Sequence, residues 1–429
     1  LSPETSLPVP LAAKSWSQQG NALTIELSPT ARFHSGVPLR PEDVCATLRA
    51  VGGEELQSPH RTVVSSISDC RKLGPHSLRL ELSQPRATLL TDLELPILRE
   101  DQATLPLGTP ELDGLGPFTV AHLDEGVVEL IPADTGLGPR AAHALTLRTV
   151  RDENARALRL LAGRADVAPG SLSPSLLPAL EGQGGLRVTA RDGANVTYLL
   201  IHNERPPMDR RAVRLALAQA LDRELLVKSL LAGRATVAAG LLPPGHWAAS
   251  ESAPIPFDPG AAQAVLRGMP PVTLLTSTER ARTVAARAIA QMLGDAGLPV
   301  RVVPLDLGVM LERLNHGDFT LAILQIPELA EPNVLSWFFH PGAVPGGPVA
   351  GRNRAYYRSA EVGRLLDLAS RSGDREERRR AYRDIESHLR EDLPVIPLWH
   401  EQQFAVVSPR ASAFVPSPDG RWGALAQLP

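Results

Sequence analysis

The 429-residue sequence predicts a protein of the mixed α/β or α+β class, built from two or three domains. Strand-like alternation of apolar residues recurs along the chain and is interleaved with amphipathic helix patterns, which is typical of this class. The chain is too long for one ordinary hydrophobic core. Its hydrophobic content of 43% and charged content of 21% are typical of a soluble globular protein.

The first part of the chain alternates strands and helices. The stretches ALTIELSPTARF and HSLRLELSQP place leucine or isoleucine at every second position, which predicts two strands. Between them, PEDVCATLRAV predicts a helix with Pro41 in its first turn and with Glu42 and Asp43 facing the positive end of its dipole. GLGPFTV predicts a turn that enters a strand. RDENARALRLLAGRADVAPG predicts a helix capped by Gly163 and then a strand from Ala165.

The clearest helices lie in the second half. Asp209 is predicted to cap DRRAVRLALAQAL, and Asp222 to cap DRELLVKSLLAG, which ends at Gly233. The strands VTLLTS, VRVVPL and FTLAIL alternate with helical patterns, and right-handed crossovers between them predict a mixed sheet. REERRRAYRDIESHLREDLP predicts a helix with one apolar stripe and solvated arginines opposite, followed by an extended VIPLW. HPGAVPGGPVAGRNR predicts a loop.

Composition and missing motifs exclude several classes of function. A net charge of -3 gives no general attraction to nucleic acid or to anionic lipid. No apolar run approaches the ~20 residues that span a membrane. The eleven histidines show no zinc-ligand spacing, and no Gly-x-Ser-x-Gly elbow, P-loop or dinucleotide fingerprint occurs. We therefore expect no catalytic residue, no metal, no cofactor and no nucleic-acid partner.

The two cysteines, Cys45 and Cys70, leave two alternatives. They lie 25 residues apart and fit none of the zinc spacings. They form either one disulfide, which would stabilise the fold by ~3 kcal/mol, or two buried free thiols. A disulfide would indicate an oxidising compartment.

Seven segments, in order, resemble the family 5 solute-binding proteins of bacterial ABC importers (oligopeptide, dipeptide and nickel-binding type). The stretch NALTIELSPTARFHSGVPLRPEDV resembles a strand, a Phe-His-Asp-Gly turn and a Thr-Ala-Glu-Asp-Val helix start, with Ser35 where aspartate is usual. YLLIHNERPPMDRRAVRLALAQALDRELLV resembles a second long block of the family. The other similar segments are GLGPFTV, RALRLLAGRADV, GLLPPG, FDPGAAQAVL and EDLPVIPLW. The resemblance runs from about residue 10 to residue 405.

The resemblance implies a two-lobed fold of the periplasmic-binding-protein type (class II, cluster C). Two strand crossings would join the lobes, and we expect them in VTYLLIHN (196–203) and VIPLWHEQQF (395–404). Lobe I is then predicted to comprise residues 1–198 and 399–429, and lobe II residues 199–398.

Further expectations about the lobes follow from the same resemblance. His202, Asn203 and Trp399 are predicted hinge residues. Family members begin with another strand and helices before LAAKSW, and here only LSPETSLPVP precedes it. We therefore expect a reduced lobe I, either through truncation or in a naturally reduced variant.

One segment suggests where a ligand would bind. The family's peptide binders hold the ligand's α-ammonium group on a carboxylate within Trp-x-x-Asp-x-x-Asp-Pro, which resembles QIPELAEP. Glu328 falls at the position of the amine-binding aspartate, Glu331 at that of the second aspartate, and Gln325 replaces the tryptophan. A buried carboxylate facing a cation makes a strong, directional contact. The alternative for Glu328 is a solvated loop glutamate.

Two later segments supply further candidates for the ligand site. In NVLSWFFHP, Trp337 or Phe338 would line the cleft or else belong to the core. NRAYYRSAEV resembles a family segment near the cleft, which makes Asn353 and Tyr356 candidate polar contacts and Arg354 a candidate partner for a ligand carboxylate. The alternative is a surface loop that holds its own turn.

The resemblance implies a binding protein rather than an enzyme. It would be the extracytoplasmic component of an ABC transporter, capturing a short peptide or similar small solute between its lobes and delivering it to a membrane permease. We expect a monomer in the periplasm or at the outer face of the cytoplasmic membrane, with any lipid anchor on a segment upstream of Leu1. The alternative is a degenerate member that acts as a sensory or protein-interaction module without transport.

Overall fold

A computed structural model describes residues 8–56, 58, 60–105, 112–349 and 351–429. The remaining residues include parts of the predicted lobe I and residue 350 of the predicted loop, which lie outside the described residues. The strands are β1 (Ala13–Gln19), β2 (Ala22–Leu27), β3 (Ile67–Lys72), β4 (Ser77–Leu82), β5 (Phe118–Asp124), β6 (Val127–Pro132), β7 (Leu145–Arg148), β8 (Val167–Pro169), β9 (Arg187–Asp192), β10 (Val196–Ile201), β11 (Ala235–Val237), β12 (Val272–Ser277), β13 (Val300–Leu305), β14 (Leu321–Ile326) and β15 (Val395–Val407).

The helices alternate with these strands, as the sequence predicts for a mixed α/β fold. They are α1 (Pro41–Gly52), α2 (Arg61–Val64), α3 (Leu89–Asp92), α4 (Glu153–Leu161), α5 (Leu177–Leu180), α6 (Arg211–Gln219), α7 (Arg223–Leu230), α8 (Pro259–Leu266), α9 (Arg280–Asp295), α10 (Leu307–Asn315), α11 (Val334–Phe339), α12 (Ala360–Arg371) and α13 (Arg375–Asp392).

The strands form three sheets among the described residues. The first has the order β1-β2-β4-β3 and is antiparallel, and a small sheet has the order β5-β6-β7. The large sheet has the order β11-β15-β10-β14-β12-β13, and β8 and β9 also pair with β15. Within it β12 is parallel to β13 and β14, whereas β14 is antiparallel to β10. The predicted mixed sheet is therefore confirmed.

The FHSG turn and the start of α1 make contacts that stabilise the fold. His34 contacts the GLGPF turn, with its backbone N–H donating to the Gly114 carbonyl and its Nε2 lying 2.9 Å from the Gly116 carbonyl oxygen. Asp43 is buried and accepts the Glu100 backbone N–H at 2.9 Å as well as that of Arg40. The turn at His34 thus packs on the GLGPF turn, and Asp43 links the start of α1 to Glu100.

A disulfide joins α1 to β3. Cys45 and Cys70 are bonded, with their Cα atoms 5.5 Å apart, so the structure favours the disulfide over two free thiols. Reduction of this bond is expected to lower the free energy of unfolding by about 3 kcal/mol, because the bond closes a 25-residue loop in the unfolded chain. Chemical denaturation with and without reductant measures this effect.

The matched control for reduction is the Cys45→Ala/Cys70→Ala variant. It should have the lower stability of the reduced protein and show no response to reductant. An unchanged denaturation midpoint of the native chain on reduction would contradict the expected stabilisation.

The large sheet is covered on both faces. Alternate residues of β10 contribute to two different cores, Tyr198 and Leu200 to one and Leu199 and Ile201 to the other. The first core also contains the predicted apolar stripe of α13, whereas the second contains α6, α7 and α9. All six residues of β10 are buried, which fits this central, doubly covered position.

Three local predictions need correction. Asp209 does not cap α6, because Arg210 occupies the N-cap position and makes no side-chain capping bond; Asp222 caps α7 as predicted. The arginines of α13 are not all solvated, since Arg378 is only 8% exposed. The strand after α4 begins at Val167, two residues later than predicted.

Strand β15 is the element that connects the two parts of the fold. From Val395 to Trp399 it pairs with β10, and from Gln402 to Val407 it pairs with β9. The turn between β9 and β10, residues 193–195, therefore lies beside Glu401 at the place where both chain segments cross. We call this place the crossing.

The two chain segments at the crossing are hydrogen-bonded to each other and leave no room for a side chain at residue 193. The Asn195 side chain accepts the Glu401 N–H at 2.9 Å and donates to the Glu401 carbonyl at 2.8 Å. A Cβ atom on Gly193 would lie 2.2 Å from that same carbonyl oxygen, so only glycine fits there. Of the three predicted hinge residues, His202 and Asn203 follow the opposite end of β10, whereas Trp399 is paired with Thr197 next to the crossing.

Candidate functional site

Glu401 is the central carboxylate of the crossing, and the sequence analysis missed it. Its Oε1 accepts the Thr197 hydroxyl at 2.9 Å and the Trp399 indole N–H at 3.0 Å. Arg282, in the first turn of α9, donates to Thr197 at 3.0 Å and lies 3.7 Å from the same oxygen. A charged residue in the middle of a strand with apolar ends, VIPLWHEQQFAVV, was the available signal. Together, Thr197, Trp399 and Arg282 orient the Glu401 carboxylate at the crossing.

Gln325 and Glu328 lie at this same end of the large sheet. Gln325 is half-buried on β14 and is paired directly opposite Thr197. Glu328 follows β14, and the next residue, Leu329, donates its backbone N–H to the Ala194 carbonyl at 2.7 Å. The structure therefore brings Gln325, Glu328 and Glu401 to the crossing.

Glu328 is partly exposed and is paired with an arginine of the same chain. Its side chain is 44% exposed, and its Oε1 accepts from Arg421 Nη2 at 2.7 Å. Arg421 also pairs with Glu94 and Asp419. The carboxylate at the predicted ammonium position thus has an internal cationic partner, which the sequence alone did not indicate because nearly one hundred residues separate the pair.

Glu331 is a structural carboxylate. It pairs with Arg378 of α13, whose guanidinium also lies over the Trp247 ring, 5.2 Å from the ring centroid. Burial raises the pKa of Glu331 even though Arg378 acts to lower it. The pair joins the Glu331 loop to α13 and leaves little of either group exposed to a ligand.

The second predicted segment packs against the other end of the sheet. The Tyr356 ring stacks on His202 with centroids 4.3 Å apart, and its hydroxyl donates to the Asn315 carbonyl at 3.0 Å. Arg354 Nε donates to the Asn315 side chain at 2.8 Å, and burial lowers the pKa of Arg354. These contacts secure the loop to the end of α10.

Asn353 and Asn203 also hold loops in place. Asn353 is fully buried, and its amide donates to the carbonyls of His340 and Tyr357. The Asn203 amide donates to three carbonyls, among them those of Ala355 and Pro394. Both amide hydrogens of Asn353 are thus used within the fold, and its role as a ligand contact stays a prediction.

The predicted ligand residues consequently form two separate groups. β10 and β14 are antiparallel, with Val196 opposite Ile326 and Ile201 opposite Leu321. The crossing end and the His202 end are separated by the length of β10, about 17 Å for its five residue steps. Gln325 and Glu328 lie at the first end, whereas the loop of Arg354 and Tyr356 contacts the second.

The aromatic candidates also differ from each other. Trp337 on α11 is 39% exposed, and Phe338 packs against the core. Trp399 is buried within the second core, and its indole N–H orients Glu401. Of the three, Trp337 alone presents a large accessible aromatic surface.

The described part of the chain contains neither a metal-binding cluster nor a membrane-spanning helix. No group of three or more histidine, cysteine, aspartate or glutamate side chains is arranged to hold a metal ion there. None of the helices in those residues has the length and apolarity needed to cross a membrane.

Comparison with known proteins gives concordant results. The profile of the bacterial extracellular solute-binding proteins, family 5 Middle, matches residues 8–344. The glutathione-binding protein GsiB of Salmonella typhi is 24% identical, with 94% of this chain and 82% of the relative covered. The probable di/tripeptide-binding protein 5 of Pseudomonas aeruginosa is also 24% identical, with 96% and 85% covered.

A solved structure shows the same fold. The periplasmic binding protein DppA of Helicobacter pylori, in complex with the peptide STSA, matches with a TM-score of 0.80 and 21% identity. The match covers 96% of this chain and 88% of that one. The predicted mixed α/β, two-lobed fold is confirmed by this likeness.

Proposed function

Because the chain belongs to the bacterial extracellular solute-binding proteins of family 5, we propose that it captures a short peptide or similar small zwitterion between its two lobes. The closed, loaded form then delivers the ligand to a membrane permease, and the partner ATPase supplies the energy. The protein acts as a monomer in the periplasm or at the outer face of the cytoplasmic membrane, free or held by a lipid anchor. The Cys45–Cys70 disulfide supports an oxidising compartment.

The crossing is the observation that carries this proposal. Two adjacent chain segments, the β9–β10 turn and the middle of β15, pass from one part of the fold to the other. A joint of two strands permits the lobes to rotate about it while each lobe keeps its own core. A ligand that contacts both lobes only when they are closed stabilises the closed state by its differential affinity.

The proposed ligand site comprises Gln325, Glu328 and Glu401. Glu328 receives the ligand's ammonium group, because a carboxylate makes a strong, charge-assisted hydrogen bond to an ammonium group. Gln325 offers a neutral amide beside it, and Glu401 is held rigid by Thr197 and Trp399. We place the lobe boundary at the crossing, between Asp192 and Val196 in the first segment.

One observation favours a second candidate function. Arg421 already neutralises Glu328, so the cleft can be closed by a group of the chain itself. A chain of this kind could act as a sensory or protein-interaction module without transport.

A thermal-shift assay with a pool of short peptides tests the proposed function. A ligand present at 100 times its Kd adds about 2.7 kcal/mol to stability, which raises the melting temperature by several degrees. Glu328→Gln is expected to weaken binding about tenfold or more, because a hydrogen bond to a charged group contributes about 1.5–3 kcal/mol.

N-acetylated peptides provide the control. They lack the ammonium group, so they should bind weakly to the native chain, and Glu328→Gln should not weaken their binding further. Full affinity of Glu328→Gln for unmodified peptides would remove Glu328 from the site. Failure of the whole pool to change the melting temperature of the native chain would refute peptide capture itself.

A further inference from the structure

We infer that the Arg421 guanidinium occupies, on Glu328, the place that the ligand's cationic group takes when a ligand binds. It bridges carboxylates of the two lobes, closes the cleft when no ligand is present, and has to leave Glu328 when a ligand ammonium group binds. Only the displacement of Arg421 by a ligand rests on the proposed function. Closure of the cleft by Arg421 does not depend on which ligand binds.

The guanidinium contacts both lobes at once. Arg421 Nη2 donates to Glu328 at 2.7 Å and Nη1 donates to Glu94. Glu328 follows β14 of the large sheet. Glu94 lies just after α3, where its neighbours Leu93 and Leu95 pack against the core of the first sheet. One side chain therefore links the first lobe to the second.

Arg421 is placed there by the crossing itself. The Ala194 N–H donates to the Pro418 carbonyl at 2.8 Å, and the Ala194 carbonyl accepts from Leu329 at 2.7 Å. The C-terminal segment and the Glu328 loop are thus both attached to the backbone of one residue in the crossing, Ala194. The Ser417 hydroxyl, which donates to the Arg421 carbonyl at 2.9 Å, fixes the turn that presents the guanidinium.

The charges around Arg421 define what can replace it. Three carboxylates, those of Glu94, Glu328 and Asp419, surround this one guanidinium. These carboxylates attract a cationic ligand group and repel an anionic one. The Glu328 and Arg421 side chains are 44% and 45% exposed, and exposed ion pairs of this kind are weak enough to be displaced.

Small-angle X-ray scattering of the ligand-free protein tests closure. Arg421→Gln is expected to increase the radius of gyration, because the bond between the lobes is lost. Arg410→Gln is the matched control, since it removes the same charge from an exposed arginine of the same C-terminal segment. It should leave the radius unchanged. A radius identical in the native chain and Arg421→Gln would overturn the inference.

Titration with an unmodified short peptide tests displacement. Since the state closed by Arg421 competes with ligand binding, Arg421→Gln should bind the peptide several-fold more tightly than the native chain or Arg410→Gln. Equal or weaker binding by Arg421→Gln would overturn the displacement step. If neither chain binds any peptide, the proposed function fails, and the scattering experiment still decides whether Arg421 closes the cleft.

Discussion

Glu331→Ala is expected to lower the free energy of unfolding by about 3–5 kcal/mol, because it leaves the buried charge of Arg378 without its partner. Arg378 is 8% exposed, lies over the Trp247 ring and donates to the Ala369 carbonyl at 3.1 Å. It cannot reach water without disrupting these contacts. Chemical denaturation followed by circular dichroism measures the loss.

Two further variants separate charge burial from simple loss of a side chain. Glu361→Ala removes an exposed glutamate that pairs with Arg364 on α12 and should change stability little. Replacing both partners, Glu331→Leu with Arg378→Met, should recover most of the lost stability, because no unpaired charge remains. If Glu331→Ala were as stable as Glu361→Ala, the pair would have no structural importance.

Mild acid is expected to destabilise the fold through His246. Its Nδ1 accepts the Ala248 N–H at 3.2 Å, and its Nε2 lies 3.3 Å from the Ala330 carbonyl oxygen. Both contacts together require the neutral ring. Burial, and to a smaller extent the positive charge of Arg375, lower the pKa of His246 from 6.5 to about 4.

The direction of the pH effect follows from that shift. The unfolded chain takes up the proton near pH 6.5 and the folded chain only near pH 4. The free energy of unfolding therefore falls as the pH is lowered from 6.5 to 4. The expected loss from His246 is about 3 kcal/mol. Burial lowers the pKa of His202 and His400 as well, which adds to the loss.

The measurement is the slope of the free energy of unfolding against pH, compared between the native chain and a variant. Denaturation of the native chain and of His246→Asn across pH 7 to pH 4 should show a shallower fall for the variant. The comparison is necessary because burial raises the pKa of Glu386, which acts in the opposite sense and is present in both proteins. Parallel curves would contradict the assignment to His246.

Local pattern predicted most of the elements. β2 and β4 bury alternate residues, such as Leu23 and Leu80, against one face, and period-two alternation records that burial directly in the sequence. The stripe of α13 is equally visible. Arg378 was predicted to be solvated because a helical pattern says which face is apolar, but not that Glu331 would supply a partner for a charge on it.

The site was harder to predict, since it depends on register and on contacts between distant segments. Gln325 and Tyr356 are only about thirty residues apart in the chain, but antiparallel pairing of β10 with β14 places Gln325 at the crossing and the Tyr356 loop at the opposite end. Arg421 reaches Glu328 through backbone bonds to Ala194, and no local pattern encodes those bonds. The resemblance suggests Glu328 as a ligand residue but does not indicate its partner.

The most direct test of ligand capture is native mass spectrometry of the protein purified without denaturation. We expect a second species, heavier by the mass of one short peptide or similar zwitterion, that disappears after unfolding and refolding and returns on incubation with a peptide pool. The ligand-free mass alone, both as purified and after that incubation, would contradict it.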